Sequence, residues 1–256
     1  MILDQTEFKD KKIIVTGSST GIGFETGIEF LNLGAQVIFH GNQSIDTLED
    51  RILKRTESKN FKILKADFVK LSQVEEFMNN AINALSGLDI LVNNAGTMVG
   101  RYQLDLITEK EFLNIFDLNA KSAYFTIKVA SEVFKKQNYG CIVNVSTISA
   151  STGGSPGSSV YAASKSFVSG ITRSLASELS AYNIRVNAIS PGTIATKFHE
   201  QYSSPEKLES TRLKIPMKRL GQASDCVGPI LFLSSDKLSG YITGQIVEVN
   251  GGQFIS

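Results

Sequence analysis

Short runs of apolar, β-branched residues alternate along the chain with longer segments of helical period. Residues 12–16, 36–40, 61–65, 89–93, 140–145, 184–189 and 245–249 read as strands, and segments near 21–33, 44–58, 72–85, 108–137, 160–181 and 224–234 read as helices. Strands such as KIIVTG and CIVNVS are apolar almost throughout, the mark of strands covered on both faces. The strict alternation predicts an α/β chain, with a doubly wound, parallel, seven-stranded sheet and helices on both faces, in one domain over 1–256. Ligands of such sheets lie outside the carboxyl ends of the strands. The strand ends are therefore where chemistry is expected.

The first strand runs into TGSSTGIG at 16–23, at the start of a helix. Glycines there allow a tight turn and close approach of a pyrophosphate, and the helix start offers free N–H groups and a positive dipole end. Gly17, Ser19, Thr20, Gly21, Ile22 and Gly23 are the candidate cradle. A glycine triplet alone is weak, but its place in the first β-α-β unit raises its weight. No Lys-Ser or Lys-Thr follows the last glycine, so the pattern favours a dinucleotide over ATP. An acid at the end of the second strand would bind a ribose 2′-hydroxyl and repel a 2′-phosphate. The run VIFHGNQS has no acid and no clamping Arg or Lys. NADP(H) is expected to be preferred, NAD(H) being the alternative, with polar contacts from His40, Asn42 and Ser18. Asp67 and Phe68, after the third strand, are candidates for the adenine edge and face; core packing is the commoner fate of a lone phenylalanine. NNAG at 93–96 places Asn94, Ala95 and Gly96 in a small polar turn on which a flat ring would stack.

The segment 108–137 opens with a capping-box pattern, Thr108 to Glu111. Its apolar stripe of Phe112, Ile115, Phe116, Ala123, Ile127 and Ala130 is interrupted by Asn119. A buried amide there either pins a backbone carbonyl or holds water in an active site. Tyrosine and lysine stand one helical turn apart twice, at Tyr124 and Lys128 and at Tyr161 and Lys165. At ~100° per residue the first pair points off the core face. The second falls on the inward side of a helix striped by Val168, Ile171, Leu175 and Leu179, just after a strand ending in Ser146 and Thr147. An ammonium beside a phenol is expected to lower its pKa from ~10 and make it a proton donor or acceptor at a carbonyl. A second hydroxyl holds that oxygen in place.

Composition narrows the classes. A net charge of +1 over 256 residues gives no field to draw in nucleic acid or a membrane surface, and neither partner is expected. No apolar stretch approaches the ~20 residues of a membrane span. The start, MILDQTEFKDKKIIVTG, shows no signal peptide pattern. Cys141 and Cys226 form no CxxC, and with His40 and His199 make no metal-ligand spacing, so a cytoplasmic protein without metal is expected.

With these residues in view, the whole chain resembles the short-chain dehydrogenase/reductase family, through TGSSTGIG, NNAG, Asn119, YAASK at 161–165, and PG at 191–192 followed by Thr196. The resemblance implies a Rossmann fold and a dehydrogenase or reductase acting on CH–OH groups. It implies that Tyr161 is the acid/base, that Lys165 binds the nicotinamide ribose and tunes Tyr161, and that Asn119 holds a water in a proton relay. Pro191, Gly192, Ile194 and Thr196 would contact the carboxamide end. The family's catalytic serine falls on Thr147, which lies one residue further from Tyr161 than expected; Ser146, Ser149 and Ser159 are lesser candidates. A mobile substrate lid is implied at about 193–219, where 197–219 holds six Lys/Arg against three Glu, an excess that suits an anionic substrate or an acidic carrier protein as well as plain solvated surface. The nearest branches are the 3-oxoacyl-(acyl-carrier-protein) reductases and the sugar or polyol dehydrogenases. A silent dinucleotide-binding sensor is the rival class. A homotetramer, or a homodimer, is implied through the 108–137 and 160–181 helices.

Overall fold

The computed structural model describes residues 6–42 and 45–255, apart from the side chains of residues 199 and 200. The strands are β1 (Lys12–Val15), β2 (Gln36–Gly41), β3 (Phe61–Lys65), β4 (Ile90–Asn93), β5 (Gly140–Val145), β6 (Ile184–Pro191), β7 (Ile194–Ala195), β8 (Gly221–Gln222) and β9 (Ile246–Val249). Seven of them form a wholly parallel sheet in the order β3-β2-β1-β4-β5-β6-β9. β7 and β8 pair separately. The helices are α1 (Gly21–Asn32), α2 (Leu48–Leu53), α3 (Leu71–Leu85), α4 (Glu109–Phe116), α5 (Ser122–Gln137), α6 (Ser149–Thr152), α7 (Ser159–Leu179), α8 (Lys197–Tyr202), α9 (Pro205–Lys214), α10 (Ala223–Ser234) and α11 (Asp236–Ser239).

Period-2 alternation of buried residues explains the two layers. Ile13, Val15, Val37, Phe39, Cys141 and Val143 pack with Phe24, Ile28, Leu31 and Ile230, the faces of α1 and α10. Ile14, Ile38, Leu91 and Ile142 point the other way, onto Phe77, Ile127, Phe134 and Ile171 of α3, α5 and α7. Full burial of one such side chain stabilises by about 1.5–3 kcal/mol, so the continuous apolar runs are what hold the sheet between its helices.

A buried polar ladder fixes α5 and α7 over the middle of the sheet. Thr126 Oγ1 donates to Asn93 Oδ1 at 2.7 Å, and Asn93 Nδ2 donates to Asn144 Oδ1 at 3.2 Å. Asn144 Nδ2 in turn donates to Thr172 Oγ1 at 2.9 Å. Every member has a partner, the condition under which buried polar groups specify position rather than destabilise.

Two predicted helices change. The 44–58 helix shrinks to α2, and its expected first residue, Ser44, lies outside the described residues. The 108–137 helix is not continuous: a π-helical turn at Asp117–Lys121 separates α4 from α5. The extra residue in that turn shifts helical phase. Ile115, Asn119, Ala123, Ile127 and Ala130 stay buried, whereas Phe112 is 44% exposed. The capping box forms, with Thr108 N–H donating to Glu111 Oε2 at 2.9 Å. Ser204 caps α9, where Pro205 occupies the first turn. No helix among the described residues is long and apolar enough to cross a membrane.

Candidate active site

The carboxyl ends of β1, β4, β5 and β6 border one cavity of about 470 Å³. Of the residues anticipated from sequence, Gly17, Ser19, Thr20, Gly21, Ile22, Asn94, Gly96, Thr147, Tyr161, Lys165, Pro191, Gly192, Ile194 and Thr196 line it.

The glycine loop is held from behind. Gly17 adopts φ +61°, and a Cβ there would come within 2.7 Å of Ala95 Cα. Asn94 Nδ2 donates to the carbonyls of Thr16 and Gly17, at 3.0 and 2.8 Å. The N–H groups of Asn94 and Ala95 both donate to Thr16 Oγ1 at 3.0 Å. A Cβ on Gly23 would strike Asn94 Nδ2, so Gly23 serves close packing of α1 and stands off the cavity. Thr20 makes no side-chain cap and the first turn of α1 carries no acid, leaving the helix N-terminus open to an anion. A bare loop of positive-φ glycine, an uncapped helix start and a continuous cavity fit the diphosphate of a dinucleotide.

Of the contacts expected at the adenosine end, the side chains of His40, Ser18 and Phe68 are turned inward, and those of Asn42 and Asp67 are not. His40 is buried; its Nδ1 accepts the Gly17 N–H at 2.9 Å and its Nε2–H meets the Ala66 carbonyl at 3.1 Å. Burial pushes the imidazole down to about 4, against the bond to Ala66. Ser18 is also spent internally, donating to the Val15 carbonyl and accepting the His40 N–H. Phe68 is 1% exposed and stacks on His40 with ring centroids 3.9 Å apart, so it is core. Asp67 is half-buried and accepts the Val69 N–H, while Asn42 is exposed at the end of β2. A cation not anticipated from the sequence also reaches the glycine loop. Arg51 of α2 donates to the Ser19 carbonyl at 2.9 Å and lies 4.7 Å from the centre of the Phe24 ring. Its signal was hidden because it lies 32 residues from the loop it meets.

At the other end α7 delivers Tyr161 and Lys165, both under 10% exposed, whereas Tyr124 and Lys128 are exposed on α5. Lys165 Nζ donates to the Val145 carbonyl at 2.8 Å, and burial lowers it to about 8. Burial pushes the Tyr161 phenol up, and hydrogen bonding to Thr147 acts the other way. The expected lowering by the Lys165 ammonium is thus not what sets this phenol; desolvation is. Thr147 is oriented by the Ser149 N–H, which reaches its Oγ1 at 3.3 Å. Ser146 bonds Ser169 Oγ and the Lys165 carbonyl, Ser159 is exposed, and it is Thr147 whose hydroxyl hydrogen-bonds to Tyr161.

Asn119 does the first of the two things its position allowed, pinning backbone carbonyls. Its Nδ2 pins the carbonyls of Thr97 and Ile115, each at 2.8 Å. Its Oδ1 is buried with no partner among the described residues. A Cβ on Gly96 would come within 2.5 Å of that oxygen and 3.0 Å of Lys165 Nζ, so the glycine keeps amide and ammonium close to one another. A π turn at a functional amide is a known use of that geometry.

The sequence model of the family described as enoyl-(acyl carrier protein) reductase matches residues 17–253. L-rhamnose 1-dehydrogenase (NAD(P)(+)) of Azotobacter vinelandii is 36% identical over 253 residues, 96% of this chain and 98% of that protein. A 3-oxoacyl-(acyl-carrier-protein) reductase of Thermotoga maritima is 36% identical over 248 residues, 96% of this chain and 98% of that one. Among solved structures, an NADH-dependent reductase responsible for alginate metabolism superposes with a TM-score of 0.88 at 29% identity, covering 98% of this chain and 100% of its own.

Proposed function

The chain belongs to the short-chain dehydrogenase/reductase family, and from that premise we propose that it transfers hydride between NADP(H) and a carbonyl or secondary alcohol seated at Tyr161 and Thr147. The observation that carries this is the meeting of Tyr161, Thr147 and Lys165 in the same cavity as the glycine loop. Bound along the loop, Asn94 and Pro191 to Thr196, the dinucleotide supplies or accepts the hydride. In reduction the Tyr161 phenol gives its proton to the carbonyl oxygen as the C=O π bond opens, and in oxidation it takes that proton back. The Thr147 hydroxyl donates to the same oxygen and stabilises its developing charge. Lys165 would hold the nicotinamide ribose, and Asn119 Oδ1 would accept a hydrogen bond from a water that returns protons toward Lys165.

Preference for the 2′-phosphorylated cofactor draws support from Arg51, a guanidinium with no carboxylate partner among the described residues, beside Ser19. Residues 193–219, carrying β7, α8 and α9, would act as the lid. A homotetramer, or a homodimer, draws support from an exposed aromatic cluster on α4, α5 and α7. Phe112, Tyr124 and Phe167 are each over a third exposed, and Phe116 and Tyr124 pack on Phe167 at 5.7 and 6.4 Å. Both the oxoacyl-thioester and the sugar or polyol branches remain compatible with this cavity, in a cytoplasmic enzyme.

Replacing Tyr161 with Phe tests the reading. On a panel of acetoacetyl thioesters, sugars and polyols followed by NAD(P)H absorbance, turnover is expected to vanish while dinucleotide binding persists. Turnover that survives the substitution overturns the mechanism; a wild-type protein that binds dinucleotide but turns over nothing is the sensor.

A further inference from the structure

Three cations and no Asp or Glu line the cavity among the described residues: Lys165, Arg101 and Lys207. Lys165 is deep, beside Tyr161. The other two belong to no step of the hydride transfer. They meet on one oxygen. Arg101 Nη1 donates to Ser155 Oγ at 2.9 Å, and Lys207 Nζ donates to the same oxygen at 3.3 Å. Like charges so placed repel, and the Arg101 charge does act on Lys207 to make its ammonium easier to deprotonate, second to burial. Neither cation has a carboxylate partner among the described residues, although ion pairs form elsewhere on the same lid, as between Arg212 and Glu209.

The cluster is built from three separate segments, each held in place. Arg101 Nε donates to the Tyr202 carbonyl at 2.9 Å, anchoring it to the end of α8. Just before it, Val99 sits at φ +62° and the Gly100 N–H bonds back to the Met98 carbonyl at 2.7 Å. A β-branched residue in the left-handed region is disfavoured and persists only where the surroundings impose it. That tight turn brings both Met98 and Arg101 to the cavity. Ser155 is fixed by exchange with Ser158, whose Oγ accepts the Ser155 N–H at 2.9 Å and donates to its carbonyl at 2.6 Å. Ser155 Oγ accepts from both cations, so its own proton is free to donate. The cavity wall beside Tyr161 is apolar: Met98 clusters with Tyr161, and the Phe198 ring lies 5.7 Å from the Tyr161 ring.

We propose that Arg101, Lys207 and Ser155 form a carboxylate-binding subsite, and that the substrate is a small oxo acid or hydroxy acid whose reacting carbon lies at Tyr161 and Thr147. The inference rests on the oxidoreductase reading and sharpens its substrate class. Arg101 Nε and Nη1 are held by Tyr202, Ser155 and the Pro156 carbonyl, so its Nη2, with the Lys207 ammonium and the Ser155 hydroxyl proton, is left to meet the oxygens of a carboxylate. The short apolar wall gives the carbon chain its path. A neutral ketone or an uncharged acyl thioester leaves the two cations facing each other without an anion.

The test is a matched panel of oxo acids and their methyl esters, with a neutral acetoacetyl thioester of N-acetylcysteamine as the third arm, assayed with NADPH. The wild-type protein is expected to favour acid over ester in kcat/KM by roughly 10–100-fold, through KM, as charge-assisted hydrogen bonds imply. Arg101→Gln and, separately, the exposed-site reversal Lys207→Glu are expected to bring that ratio toward unity. Because Arg101 also anchors Tyr202, the Lys207→Glu ratio decides if Arg101→Gln fails to fold. Turnover of neutral esters or of the thioester with no preference for acids, or an acid-to-ester ratio that Lys207→Glu leaves unchanged, overturns the subsite while the oxidoreductase stands. Turnover of no arm overturns the subsite, and the oxidoreductase reading falls with it only if the sugars and polyols are not turned over either.

Discussion

His40 Nδ1 accepts the Gly17 N–H at 2.9 Å, so a side chain at the end of β2 sets the first residue of the phosphate loop on β1. The same ring meets the Ala66 carbonyl beyond β3 through Nε2. One neutral tautomer satisfies both. Replacing His40 with Phe keeps a ring to stack on Phe68 but orphans a buried donor and a buried acceptor, each worth about 1–3 kcal/mol. We expect His40→Phe to lower the urea midpoint and to weaken NADPH binding together. Loss of stability with unchanged NADPH affinity, read by fluorescence titration, would separate the ring from the loop.

The same ring makes stability depend on pH. Protonation turns Nδ1 from acceptor to donor, facing an N–H. The folded value of about 4 lies below the ordinary imidazole value of 6.5, so the unfolded chain binds the extra proton first. The His40 contribution is therefore full above about pH 6.5 and is lost as pH falls toward 4, up to about 3 kcal/mol in all. Denaturant melts between pH 4.5 and 7 are expected to show this slope in the wild-type protein and a shallower one in His40→Phe.

Thr147 stands where serine was expected, and its hydroxyl is the side-chain group that draws the buried Tyr161 phenol down. The methyl group restricts its rotamer and the Ser149 N–H fixes its oxygen. Thr147→Ser is expected to stay within about tenfold of wild-type kcat, since the donor survives, whereas near-isosteric Thr147→Val should lose about 10²–10³-fold. Equal losses in both variants, in steady-state assays at saturating cofactor, would assign the role to the methyl packing and not to the hydroxyl.

What the chain made legible was whatever depends on local period. Alternation in KIIVTG placed Ile13 and Ile14 on opposite faces, and helical phase separated Tyr161 from the outward Tyr124. Phase counting failed at Asn119, because it assumes a constant twist and the π turn inserts a residue. Asn119 stayed buried all the same, while Phe112, at the start of the same helix as buried Ile115, is exposed. His40 and Phe68 were read as cofactor contacts since strand ends face ligands, yet both rings turn into the layer beside α3. Arg101, Ser155 and Lys207 come from three loops or lid segments that no periodicity relates, and only tertiary structure gathers them.

Arg51 gives the cofactor question a handle of its own. Its Nη1 reaches the Ser19 carbonyl, and the carboxylate nearest in α1, Glu25, is taken by Arg55 at 2.8 Å. That division leaves Arg51 as the cation beside the phosphate loop, where Gly41 closes on Ser19 and no acid ends β2. A guanidinium so placed binds a 2′-phosphate through two parallel hydrogen bonds and offers a neutral ribose much less. We expect the wild-type protein to bind NADPH more tightly than NADH, and Arg51→Ala to shrink that ratio by roughly 10–100-fold. Arg51→Lys keeps the charge without the fork and should fall between them. Paired titrations of NADPH and NADH on the three proteins decide it: a wild-type preference for NADH, or a ratio that Arg51→Ala does not change, places the 2′-phosphate contact elsewhere.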